Sequence, residues 1–165
     1  MSDAGGHVHG YERHESEAAR LDRNYAEQLQ ELRVAQAGVQ ILFAFLLAIA
    51  FQQRFDEITD FQKTVYVVTL LCTALAAAFF IAPVAIHRVM FRRHLKDELV
   101  LTSSRLAAFG LVFLALSMLG ALLLIVDFVV NTTAAWIVTG AMALVFAYLW
   151  LLLPISWRGK TEERP

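Results

Sequence analysis

"LAAFGLVFLALSMLGALLLIV", Leu106 to Val126, holds no Asp, Glu, Lys or Arg and is flanked by Arg105 and Asp127. As a helix, this run of 21 residues would be about 32 Å long, close to the ~30 Å of a bilayer's hydrocarbon layer. A helix on the surface of a soluble bundle would carry charges along one side. Here the only side chain with a hydroxyl is Ser117, and no side can be called polar. The same reading applies to three more charge-free runs, Val34–Phe51, Val65–Val84 and Ala134–Leu153. The sequence therefore predicts an all-α, four-transmembrane-helix bundle with spans at about 34–53, 64–85, 105–127 and 134–153.

The composition agrees with this. The chain of 165 residues is 58% hydrophobic and 18% charged, against roughly 45–50% and about 25% in an ordinary soluble domain. Four spans leave no stretch long enough for a soluble domain of normal size. The net charge of −1 argues against a nucleic-acid partner. The first residues are polar, and the first apolar run begins only at Val34, so the first span is expected to be retained rather than cleaved as a secretion signal. The sequence divides into a disordered polar tail at 1–14, a membrane domain at 15–158 and a short tail at 159–165. The single cysteine, Cys72, falls inside the second span, where it reads as an inert packing residue.

Charge asymmetry sets the orientation. With both termini inside, twelve Lys and Arg side chains fall on the cytoplasmic side and only Arg54 and Lys63 outside. The positive-inside rule then places both termini in the cytoplasm and the chain in the inner (plasma) membrane as a multi-pass protein. Trp136 and Trp157 are expected as interfacial anchors. Arg88, Arg92, Arg93, Lys96 and Arg105 are expected against anionic headgroups of the inner leaflet. Ser103 or Ser104 is expected to cap the third span. Asp127, ~33 Å along a helix from Arg105, belongs at the opposite surface, as an anchor or in cation capture.

The first helix is expected to run from about residue 15 to Gln53, without Gly or Pro between its charged part and its span, so that 15–33 projects into the cytoplasm. Ala18, Leu21, Tyr25, Gln28, Leu32, Ala35, Val39, Leu42 and Leu46 recur at spacings of three and four, a coiled-coil rhythm. The seam formed by Leu21, Tyr25, Gln28 and Leu32 fits a fold-back within the chain, self-association into a homo-oligomer, or a different protein partner.

Gln36 and Gln40 stand one turn apart and begin the stripe Gln36, Gln40, Ala44, Ala48 and Gln52. Ile41, Phe43, Phe45, Leu46 and Ile49 lie on the other side, so the stripe is expected to face protein and the rest lipid. Similar small-residue stripes run through Thr69, Thr73 and Ala77 and through Ala135, Thr139, Ala143 and Ala147. In lipid, helices join through close approach at small residues and through polar contacts. The amides either serve as packing contacts or, with Thr69, Thr73 and Asp127, line a path for small cations or protons. The spans contain no second acid and no histidine. The sequence also lacks a GxxxxGK[ST] loop, an HExxH motif and a GxSxG turn, so no catalytic residue, metal site or cofactor is expected.

"RLDRNYAEQLQELRVAQAGVQILFAFLLAIAFQQRF" and "DFQKTVYVVTLLCTALAAAFFIAPVAIHRVMFRR" resemble an uncharacterised family of small bacterial membrane proteins common in actinobacteria, some of which carry a sodium/proton antiporter label. The likeness runs from Leu21 to Pro154 and implies a four-helix inner-membrane protein. Two functions follow as expectations. One is a homo-oligomeric conduit for small cations or protons. The other is a non-catalytic scaffold that docks partners through 15–33.

Overall fold

The structure, a computed structural model, describes residues 17–90 and 96–154, with side chains from Leu29 to Ile86 and from Thr102 to Pro154 together with Arg23 and Glu27. Among these residues the regular structure is all helical: α1 Glu17–Ile49, α2 Asp60–Met90, α3 Lys96–Val129 and α4 Thr132–Ala147. A 3-10 turn, Gln53–Glu57, joins α1 to α2, and a π-helical turn, Tyr148–Leu152, extends α4. Each helix includes a stretch long and apolar enough to cross a membrane: Leu29–Ile49, Asp60–Ile86, Thr102–Val129 and Thr132–Leu152. No more than 28% of any of these spans is buried against the rest of the chain. Side chains such as Ile41, Phe45, Leu71, Phe109, Ile125, Ile137 and Leu144 are left exposed. An apolar surface of that extent needs lipid around it.

The ends of the helices differ from expectation in two places. α1 stops at Ile49, short of Gln53. The amides of Phe51 and Gln52 donate to the carbonyls of Ala48 and Ile49 at 3.2 and 3.0 Å, which tightens the last turn. The Gln52 side chain also reaches back to the Ala48 carbonyl at 3.4 Å. A helix end satisfied in this way needs no Gly or Pro. The second difference concerns Ser103 and Ser104. α3 begins at Lys96, so neither serine caps it. Ser103 is instead buried inside the helix, and its hydroxyl has no hydrogen-bond partner. Lys96, Glu98, Leu99 and Leu101, good helix formers, carry the helix past the serines. The link from α3 to α4 is as short as expected: Asn131 caps α4, its Oδ1 accepting from the Ala134 amide at 2.8 Å.

Helices α2 and α3 form the central antiparallel pair. Gln62 stands opposite Asp127, Thr69 opposite Gly120 and Phe80 opposite Gly110. The seven-residue step from Gln62 to Thr69 is matched by seven residues from Asp127 back to Gly120, two turns on each side. α1 packs on α2 and touches α3 lightly; α4 packs on α3. The core gathers Leu32 and Val39 of α1 with Ala76 and Phe80 of α2, backed by Ala107, Phe113 and Leu114 of α3. Pro83 lies inside α2, fully buried, and the helix runs on to Met90.

Candidate functional site

Three places hold the polar side chains that the sequence singles out. The first is the outer face of α1. Leu32, Val39 and Leu46, seven residues apart, are the buried positions. The Gln36 stripe does not face the bundle: Gln36 is half-buried, and Gln40, Ala44, Ala48 and Gln52 are exposed. Leu46, which the sequence places both in the coiled-coil rhythm with Leu32 and Val39 and on the lipid side of the span, is 2% exposed, and its carbonyl accepts from the Tyr66 hydroxyl at 2.9 Å. The heptad positions with branched apolar side chains win because they pack against α2 without leaving a polar group unpaired. Gln40 lies about 10 Å of helix beyond Arg33 and about 14 Å short of Ile49, so it is well inside the span.

The second place is the α2–α3 seam. Thr69 and Thr73 are buried, and each hydroxyl donates to the carbonyl one turn back in its own helix: to Val65 at 2.7 Å and to Thr69 at 2.8 Å. Ser117 likewise donates to the Leu114 carbonyl at 2.8 Å. Gly120 presses against the Thr69 side chain. These hydroxyls are spent locally, and the seam is closed by packing.

The third place is the hairpin end, where the α1–α2 and α3–α4 links lie. Thr59 and Gln62 form a capping box: the Thr59 amide donates to Gln62 Oε1 at 3.0 Å and the Gln62 amide to Thr59 Oγ1 at 3.2 Å. Gln62 Nε2 then donates across the bundle to Asp127 Oδ2 at 2.7 Å. Asp127 sits in the last turn of α3, the negative end of that helix dipole, but against the first turn of α2, the positive end of its neighbour. Its Oδ1 is buried without a hydrogen-bond partner. The sequence reading missed Gln62, although Thr59-Asp-Phe-Gln62 carries the T-x-x-Q signature. Gln62→Leu is expected to cost about 1–3 kcal/mol by leaving both Asp127 oxygens without a donor. Asp127→Asn, which keeps an acceptor for Gln62, should cost less. Denaturant unfolding in detergent micelles checks this, and equal losses would refute the arrangement.

Beside this clasp is a cleft of about 590 Å³ lined by eleven residues, among them the polar Gln52, Gln53, Arg54 and Gln62 and the apolar Phe55, Leu124 and Phe128. Phe55 packs edge-on against Tyr66, with ring centroids 4.9 Å apart. The Arg54 guanidinium lies over the Phe128 ring, 5.4 Å from its centroid. Trp136 is exposed at the same end and leans on Phe61.

Of the other side chains named from the sequence, Arg105 is exposed. Leu21, Tyr25, Gln28, Arg88, Arg92, Arg93 and Lys96 lie outside the described side chains, as do the tails at 1–14 and 159–165 and Trp157. Among the described residues no three His, Cys, Asp or Glu side chains come together. Comparison with curated proteins and with solved structures returns no match. A family of unknown function, DUF6328, does match, over residues 14–154, and the chain belongs to that family.

Proposed function

We propose that this multi-pass membrane protein acts as a non-catalytic homo-oligomer in which α1 helices of neighbouring copies face one another, and that Gln36 and Gln40 line a shared path for small cations or protons. The observation that carries the reading is the exposure of Gln40, Ala44 and Ala48 on a face that the chain's own bundle does not use. An amide left in hydrocarbon without a partner costs about 4–8 kcal/mol on an alkane-transfer scale, which a facing copy would relieve. Ala44 and Ala48 let backbones approach closely beside it. A ring of amides both donates and accepts, as a hydrated path requires. Within a single chain the alternative lining is already committed, since Thr69 and Thr73 serve their own helix and Asp127 is held by Gln62.

The test is flux into liposomes read with a pH or cation dye. The double variant Gln36→Leu/Gln40→Leu is expected to fall to the level of protein-free vesicles. Unchanged flux in the variant, or none in the native protein, would refute the reading. A second reading has its own support. α1 is continuous from Glu17, seventeen residues before its charge-free run begins at Val34, an overhang of ~26 Å. In that reading both termini face the cytoplasm of the inner membrane and the overhang docks a partner or a second copy. Mass in detergent with and without residues 1–30 decides whether the overhang holds the assembly, and tags at either end report the orientation.

A further inference from the structure

We propose that the cleft at the hairpin end is a binding site for an anionic amphiphile, with Arg54 receiving the headgroup and the apolar wall between the 3-10 turn and α3 receiving the tail. The site is separate from the path proposed along α1: of the Gln36 stripe it shares only Gln52, which lies beyond the end of α1, and it uses neither Gln36 nor Gln40.

Four observations carry it. The volume, about 590 Å³, falls within the range of small-molecule sites, roughly 300–1,000 Å³. The lining is mixed: three amides and one guanidinium stand among Ile49, Phe55, Ile58, Leu124 and other apolar side chains. Such a mixture suits a molecule with a polar head and an apolar body. Of the eleven lining residues, only Arg54 is charged, so the complementary head is an anion. Finally, Arg54 is poised rather than committed. Its one ion pair, with Glu57, is 3.8 Å long between side chains that are 75% and 69% exposed, and an exposed pair of that kind holds weakly. The Phe128 ring beneath it keeps the planar group at the cleft while its edge stays open to a bidentate acceptor. A phosphodiester or a carboxylate would fit that edge. Gln53 adds an amide beside it, and Gln52 and Gln62 each retain one amide hydrogen beyond those given to Ala48 and Asp127. Phe51, 86% exposed at the rim, marks the side from which a lipid would enter.

The experiment is thermal unfolding of the full chain in detergent with rising amounts of phosphatidylglycerol, phosphatidylcholine or oleate. Ligand that binds the native state alone raises the midpoint in a saturable way. Phosphatidylglycerol, oleate or both are expected to raise it, and phosphatidylcholine to do so far less. A shift with phosphatidylglycerol alone identifies a lipid phosphate, and one with oleate alone identifies a free carboxylate. Arg54→Gln should weaken the apparent affinity about tenfold or more, as expected when a charge-assisted contact is lost, and its exposed position keeps the fold out of the result. Leu124→Trp, which fills the apolar wall and leaves Arg54 in place, should abolish the shift. An equal response to phosphatidylcholine, no response to any of the three, or a full response from Arg54→Gln or Leu124→Trp would overturn the proposal.

Discussion

Gly120→Ala is expected to destabilise the protein by about 1–3 kcal/mol, although a single methyl group is added to a helix. The new Cβ would collide with the Thr69 hydroxyl and crowd its Cβ and Cγ2 at 3.2 and 3.3 Å. Thr69 cannot swing away freely, because it is 2% exposed and its hydroxyl is bonded to the Val65 carbonyl. The helices must therefore separate along the seam that joins the central pair. Thr69→Ala should recover much of the loss, since only the 3.2 Å approach of the two β-carbons then remains and needs a shift of a few tenths of an ångström. Gly38→Ala and Gly140→Ala are the controls. Their added methyl groups meet nothing within 4 Å, and alanine is the better helix former by about 1 kcal/mol, so both should be neutral or stabilising. Unfolding in mixed micelles, scored as a double-mutant cycle for positions 69 and 120, should give a coupling of about 0.5–3 kcal/mol. Additive losses would mean that the two helices do not touch there.

Phe80→Ala should cost more, about 3–5 kcal/mol. Phe80 is fully buried, and its ring lies over Gly110 inside the cluster that ties α1 to α2 and α3. In lipid, removing the ring forfeits dispersion contacts rather than hydrophobic burial, because the tails outside are as apolar as the core. The cavity is enclosed, so lipid does not refill it. Gly110→Ala should reverse sign with background. With Phe80 present the added methyl group collides with the ring; in Phe80→Ala it occupies vacated space and should return part of the loss. Midpoint shifts in detergent for the two single variants and the double variant check the reversal. A Gly110→Ala effect that is the same in both backgrounds would count against this packing.

The number of helices and their approximate limits were legible because a bilayer measures length: an uncharged run either reaches across or it does not. The side of α1 that turns inward was not legible in the same way. In water the apolar side would be buried, but in lipid apolar side chains gain nothing by turning inward, and their choice of side falls to shape. Val39 and Leu46 fill the groove beside α2, while the Gln40 stripe is left out. Ser103 misled because the serine–arginine step looked like a helix start, whereas the start is set upstream by Lys96 to Leu101. Gln62 was overlooked because Asp56, Glu57, Asp60 and Lys63 make its surroundings look like a plain polar loop. Its capping signature was present and readable. Its bond to Asp127, 65 positions away, was not, since nothing local indicates which turn of α3 arrives there.

The matched stepping of α2 against α3 makes the pair a ruler. One residue inserted between Gln62 and Thr69 would rotate everything beyond it by about 100°, carrying Thr69 off Gly120 while Gln62 still reached for Asp127. A deletion would do the same in the opposite sense. Within these two helices, then, substitutions can accumulate in either lipid-facing flank while the spacing between contact points stays fixed. Gains and losses of length in related chains should gather outside the stretches from Gln62 to Phe80 and from Gly110 to Asp127.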